Sequence, residues 1–252
     1  MNFEKEFNNK NIVITGATKG LGYELLKKLS NYNCNIFLLK RENSKIKLKN
    51  DKIKIINCDL QNIDLISNAI DKILSFSKRI DIIYHIAGGG LGAHDPLINS
   101  KKFIEVFNLN LLSILEINHC LLPHMIKRQK GNIVHVGSIA SYEAIGSLSY
   151  NVSKHALAAY VRSLGKALIK DKIIVNGIAP GGFEGKNNAM FRLKNKNKKI
   201  YNDYISNRLP RKKMGKANEL IFLLFYLGLE NSSFTSSNLI PVDAGEGNMY
   251  ID

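Results

Sequence analysis

The chain has 252 residues, 45% hydrophobic and 23% charged, with a formal net charge of +15. That length suits one sizeable α/β domain, and three scattered cysteines (Cys34, Cys58, Cys120) exclude a disulfide framework and read as small buried hydrophobes. No apolar run reaches the roughly eighteen residues that would cross a bilayer, and the polar start MNFEKEFNNK lacks a signal-peptide core, so a cytoplasmic protein without membrane attachment is expected.

In chain order, NIVITG (11–16), NIFLL (35–39), KIKIIN (52–57), DIIYHIA (81–87), NIVHVGS (132–138) and KIIVNGIA (172–179) read as strands. They are continuous Ile- and Val-rich runs without polar alternation, so both faces are expected to be buried. Amphipathic stretches near 20–30, 62–77, 100–127 and 149–170 read as helices between them. A last helix, about 217–228, precedes a short strand, SNLIPVD (237–243). This alternation predicts an α/β fold: a Rossmann-like, doubly wound parallel sheet of about seven strands with helices on both faces. No repeat or Pro/Gly linker divides the chain, so residues 1–252 are expected to form a single dinucleotide-binding and catalytic domain. A substrate-loop insert at about 182–214 contains the low-complexity run GKNNAMFRLKNKNKK (185–199).

The positive charge would suit an anionic partner. Lysines are spread through every segment, however, and only Lys186, Arg192, Lys194, Lys196, Lys198 and Lys199 cluster, so no nucleic acid is expected. His94, His119, His124, His135 and His155 show no metal-binding spacing, so no metal is expected.

TGATKGLG (15–22) follows the first strand and opens the first helix. Gly16, Gly20 and Gly22 allow a tight turn that brings backbone close to a pyrophosphate, with helix N–H groups and dipole facing it. A second glycine run, YHIAGGG (84–90), ends the fourth strand. It could cradle phosphate, present a catalytic histidine, or merely turn.

The TGxxxGxG spacing resembles the short-chain dehydrogenase/reductase family, and the resemblance continues along nearly the whole chain. CDL (58–60) matches an acidic position that contacts adenine, NLN (108–110) a central-helix asparagine, Ser138 with YNVSK (150–154) the Ser…YxxxK signature, and IAPGG (178–182) the turn over the nicotinamide. The resemblance implies a catalytic set of Asn110, Ser138, Tyr150 and Lys154. Tyr150 would be the general acid/base, its phenol acidified by the Lys154 ammonium four residues on. Ser138 would orient the reacting oxygen, and Asn110 would hold a water linking Lys154 to solvent.

The same resemblance implies cofactor contacts from Gly16, Thr18, Lys19, Gly20, Leu21, Gly22, Asp59, Leu60, Ala87, Gly88, Gly89, Tyr150, Lys154, Pro180 and Gly181. Family members specific for NAD end the second strand with an aspartate. Here that place holds Lys40, with Arg41 next and Lys19 in the glycine turn, cations that suit a 2′-phosphate; NADP(H) is expected over NAD(H). Departures from the family pattern are HIAG (85–88) in place of NNAG, and Gly185 in place of the threonine after the PG turn.

On this reading His85 is not catalytic, and the glycines of 88–90 let backbone pass close to a ribose. The substrate pocket is expected from 89–96, 141–145 and 182–200. The expected activity interconverts a carbonyl and a secondary alcohol on a small-molecule substrate, phosphorylated or nucleotide-linked, such as a sugar of surface-glycan biosynthesis. The alternatives are a 3-oxoacyl-carrier-protein ketoreductase and, in a different class, a non-catalytic dinucleotide-binding redox sensor. A homodimer or homotetramer is expected through the helices that carry Asn110 and Tyr150.

Overall fold

The computed structural model of the protein describes residues 2–46, 48 and 50–248. The strands are β1 (Asn11–Thr15), β2 (Asn35–Lys40), β3 (Ile53–Asn57), β4 (Ile82–His85), β5 (Gly131–Val136), β6 (Ile173–Pro180), β7 (Phe183–Glu184), β8 (Gly215–Lys216) and β9 (Leu239–Val242). The helices are α1 (Phe3–Phe7), α2 (Gly20–Leu29), α3 (Asp64–Phe76), α4 (Ser100–Phe107), α5 (Ser113–Arg128), α6 (Leu148–Leu168), α7 (Ala189–Lys196), α8 (Lys198–Arg208) and α9 (Ile221–Leu227). Seven strands form one sheet in the order β3-β2-β1-β4-β5-β6-β9, every pair parallel. This is the doubly wound architecture, and its order reverses between β1 and β4, where such sheets open a crevice at their carboxyl edge.

Apolar cores cover both sheet faces. One packs α3, α5 and α6 against Val13, Ile83, Ile133 and Val175; the other packs α1, α2 and α9 against Ile12, Ile14, Ile36 and Val134. This explains the uninterrupted apolar runs: β1, β4 and β6 are buried at every residue. The exception is β3, where only Ile56 is buried and Ile55 is 47% exposed. The expectation of two buried faces fails there because β3 is the edge of the sheet.

The helix expected at 100–127 is interrupted by a π turn at Asn108–Leu112 between α4 and α5. Together, Ser100–Arg128 are long and apolar enough by composition to cross a membrane. Val106, Leu111, Ile114, Ile117, Leu121 and Met125 are nevertheless buried, five of them in the core under the sheet. The insert is not irregular chain. It leaves and rejoins the fold at a two-residue ladder, Phe183–Glu184 beside Gly215–Lys216, and carries α7 and α8. Asn188 and Asn197 cap these two helices by accepting hydrogen bonds from Phe191 N and Ile200 N.

Burial pushes the Cys34 and Cys58 thiols up to about 11, so both remain neutral hydrophobes.

Candidate active site

The predicted site residues all come from segments at the carboxyl edge of the sheet. The β1–α2 turn carries Gly16, Thr18 and Lys19, and the first turn of α2 carries Gly20, Leu21 and Gly22; Lys40 ends β2 and Arg41 follows it; Asp59 and Leu60 follow β3. The loop after β4 carries Ala87, Gly88 and Gly89, Ser138 follows β5, and Pro180 ends β6 with Gly181 just after it.

The glycine turn is tight because a Cβ at Gly22 would collide with the Gly16 carbonyl, and Gly16 itself has φ +73°. A Cβ at Gly16 would lie 2.6 Å from Ala87 N, so the turns after β1 and β4 touch. Thr15, which the sequence reading passed over, ties them further: its Oγ1 accepts hydrogen bonds from Ile86 N (3.1 Å) and Ala87 N (3.2 Å). Leu21 points into the core and Leu60 is buried, so each offers only backbone to a ligand. Asp59 turns inward on its own loop, accepting from Gln61 N at 3.1 Å. The Lys40 ammonium donates to the carbonyls of Arg41 and Glu42 (3.1 and 3.0 Å), which spends it on local backbone.

The loop YHIAGGG threads between the helices that carry the proton-transfer candidates. A Cβ at Gly88 would sit 2.8 Å from Asn110 Oδ1 and 3.2 Å from Lys154 Nζ, so only glycine fits. Asn110, fully buried in the π turn, clamps the next residue: Gly89 N donates to its Oδ1, and its Nδ2 donates to Gly89 O, each at 3.0 Å. Its second amide hydrogen goes to Val106 O at 2.7 Å. Both amide donors are thereby used, so the Asn110 side chain has no donor left for the water expected of it.

Tyr150 and Lys154 stand on one face of α6. The buried Lys154 Nζ lies 5.7 Å from the Tyr150 ring centroid and donates to Val136 O at 2.9 Å. Burial lowers the Lys154 ammonium to about 8. Burial also raises the Tyr150 phenol, against the opposing pull of the Ser138 hydroxyl beside it. Ser138 Oγ accepts from Ala140 N at 3.1 Å, which fixes its rotamer.

His85 has a place away from this chemistry. It pairs in register with His135 of β5, and their rings stack with centroids 4.9 Å apart and 13° between planes. His85 Nε2 donates to Asn118 Oδ1 (2.9 Å), and Asn118 Nδ2 donates to Tyr160 OH (3.0 Å). Burial holds His85 down to about 4, so it is a neutral core residue.

A further cluster closes the mouth, and no local pattern announced it. Glu246, fully buried in the C-terminal stretch, accepts from Gly182 N (2.5 Å), Arg208 Nε (3.1 Å) and Tyr204 OH. The same Arg208 donates to Glu143 at 2.7 Å, joining α8 to the segment after Ser138. Glu246→Ala would leave three donors short of an acceptor. It is expected to lower the unfolding free energy by about 3 kcal/mol and to speed tryptic cleavage at the lysines of 194–199. Urea unfolding and timed proteolysis check this; unchanged values in both would remove the closing role.

A glycine turn at the switch point of a doubly wound sheet, facing a Tyr–Lys pair, defines a dinucleotide-binding α/β protein. The family model for short chain dehydrogenases matches residues 10–196. The chain is 28% identical over 247 residues to the 3-oxoacyl-[acyl-carrier-protein] reductase FabG of Buchnera aphidicola subsp. Acyrthosiphon pisum, covering 94% of this chain and 97% of the relative. Among solved structures, a short chain dehydrogenase of Leptospira borgpetersenii with bound NAD+ superposes with a TM-score of 0.85 at 22% identity, over 98% of this chain and 96% of that one. L-sorbose reductase of Gluconobacter frateurii, complexed with NADPH and L-sorbose, gives 0.85 at 21% identity, over 98% and 100%. The chain belongs to the short-chain dehydrogenase/reductase family and is an oxidoreductase acting on carbonyl and alcohol groups with a dinucleotide cofactor.

Proposed function

We propose that the protein reduces a ketone, or oxidises the corresponding secondary alcohol, on a hydroxyl-rich small molecule such as a sugar or nucleotide-sugar, using NADP(H). The observation that carries the proton chemistry is Lys154 buried under the Tyr150 ring, next to the Asn110–Gly89 clamp. The glycine turn, where a side chain at Gly22 has no room, fits the cofactor's pyrophosphate, and the cations Lys19 and Arg41 fit a 2′-phosphate. NADP(H), when bound, supplies or accepts the hydride.

The chain's own residues do the rest. Tyr150 gives its proton to the carbonyl oxygen in reduction and takes it back in oxidation. Ser138 hydrogen-bonds the same oxygen. The Lys154 ammonium stabilises charge on the phenolic oxygen, and Asn110 holds the Gly88–Gly89 backbone off both. The hydroxyl-rich substrate is favoured by a mouth whose wall is polar rather than an apolar trough: Glu143, Tyr204, Arg208 and Glu246 pair with one another there, and Arg208 stays part-exposed.

A second reading, reduction of a 3-oxoacyl thioester, is favoured by the FabG relative that matches along nearly the whole chain. A panel of keto-sugars, nucleotide-linked keto-sugars and acetoacetyl thioesters, with NADPH oxidation followed by absorbance, separates the two. Turnover fastest on the thioester overturns the sugar reading, and binding of NADPH without turnover on any carbonyl would revive the redox-sensor alternative. Titration with NADPH and NADH tests the cofactor: NADPH is expected to bind at least about tenfold tighter, the size of one charge-assisted hydrogen bond. For assembly, Ile104, Leu115, Leu148 and Val152 form exposed apolar positions on α4, α5 and α6, and we read that face as a homo-oligomer contact.

A further inference from the structure

The insert does more than line the substrate side; it is docked on the glycine turn. Gly20 N donates to Lys186 O at 2.8 Å. A Cβ at Gly185 would sit 3.1 Å from Gly20 Cα, and one at Gly20 would sit 3.4 Å from Asn188 Cβ. Asn188 is itself fixed, donating to Phe183 O at 2.7 Å while capping α7.

This docking aims one side chain. Arg192 stands four residues after Asn188, so the two share a helix face, the face that meets Gly20. Arg192 Nη1 donates to Asn187 O, which draws the guanidinium back along α7 toward the turn. Lys19 immediately precedes Gly20, and Arg41 leaves the end of the neighbouring strand β2. Three segments that meet around the glycine turn thus each carry a cation, and the charges of Arg192 and Arg41 both act on the Lys19 ammonium.

Their lack of counter-charge is the second observation. Among the described residues, none of the three is paired with a carboxylate. Three cations of the insert and its borders are paired, Lys194 with Glu184, Arg208 with Glu143 and Glu246, and Arg211 with Glu219, whereas Lys186, Lys196, Lys198 and Lys199 are solvated charges that do not face the glycine turn's Lys19 as Arg192 does. Partial desolvation, then the charges of Arg192 and Arg41, lower the Lys19 ammonium. Like charges gathered without a partner destabilise the chain that gathers them, unless an anion occupies the gap.

We propose that Arg192 is a third ligand of the cofactor's 2′-phosphate, carried by the insert and completing a cradle with Lys19 and Arg41; this rests on the NADP(H) reading. It takes the place expected of Lys40, whose ammonium is held by local carbonyls. Because Arg192 belongs to the insert, the phosphate also fastens α7 over the glycine turn. NADPH then holds the insert closed, whereas NADH, lacking the phosphate, adds no such tie to the contacts that α7 already makes.

The test is the NADPH-to-NADH affinity ratio of the intact protein and of Arg192→Gln, by fluorescence titration at fixed ionic strength. Arg192 is exposed, so the substitution leaves the core intact. The variant is expected to lose about tenfold in NADPH affinity with NADH affinity unchanged within twofold. In parallel, NADPH is expected to slow tryptic cleavage at 194–199 more than NADH does in the natural protein, and equally little in the variant. A variant that keeps the natural ratio, while Lys19→Gln or Arg41→Gln loses it, overturns the role of Arg192 alone. A natural protein with no preference for NADPH overturns the cradle and the NADP(H) reading together.

Discussion

Tyr150→Phe is expected to lower NADPH-linked turnover by about 10²–10⁴-fold on whichever ketone the protein reduces, the range that positioned acid–base catalysis contributes. The substitution removes one oxygen and keeps the ring. The contact between the Lys154 ammonium and that ring survives, so the fold and cofactor affinity are expected to change little. The loss should appear in kcat, because the phenolic proton moves only in the reaction. Reductive turnover should also fall above pH 8, where Lys154, held near 8 by burial, loses the charge that stabilises the phenolic oxygen. A loss of only a few-fold in Tyr150→Phe would contradict a proton-transfer role. Unchanged kcat with a raised KM would reduce Tyr150 to a binding group.

These expectations stand on residues that were legible before the fold was known, and the reason is local. Parallel strands buried on both faces must be apolar throughout, so β1, β4, β5 and β6 declare themselves in sequence. The glycine turn is legible because its geometry excludes side chains at fixed spacing. The π turn at Asn108–Leu112 was not legible, since one extra residue in a helix leaves apolar periodicity almost intact. The insert helices were hidden because their lysine- and asparagine-rich faces bury little; only the Asn188 and Asn197 caps marked them.

The closing cluster was invisible for another reason. Glu143 and Arg208 are 65 residues apart, Gly182 and Glu246 are 64 apart, and such pairs exist only once the sheet has gathered its loops. Arg192, on α7, was legible only in part. It was visible as part of a lysine-rich cluster, yet its meaning depends on a docking contact with Gly20, 172 positions before it in the chain. The substitution of His85 for asparagine is likewise explained by a partner strand, since its neighbour in register is another histidine.

That histidine pair carries the largest expected effect on stability. His85 and His135 are buried against each other, and among their four ring nitrogens only His85 Nε2 has a hydrogen-bond partner. Burial first, opposed by the Asn118 hydrogen bond, holds His85 near 4; burial, then His85, then Lys154 hold His135 well below the ordinary value. Both stay neutral in the folded chain, while in the unfolded chain each binds a proton below about 6.5. Their depressed pKa values therefore contribute stability above pH 6.5 that drains away as pH falls toward 4. Between pH 7 and pH 5 the loss is about 2 kcal/mol for His85, and His135 adds to it in the same direction, a large share of a typical stability of about 5–15 kcal/mol. Few carboxylates titrate in that interval, since their unfolded values lie near 4. Urea unfolding at the two pH values reads the loss directly. His135→Val, whatever its cost at pH 7, is expected to shrink the difference between them, because one of the two protons taken up on unfolding is gone. A stability that does not change between pH 7 and pH 5 would mean that the pair is hydrated and already able to take up protons in the folded state.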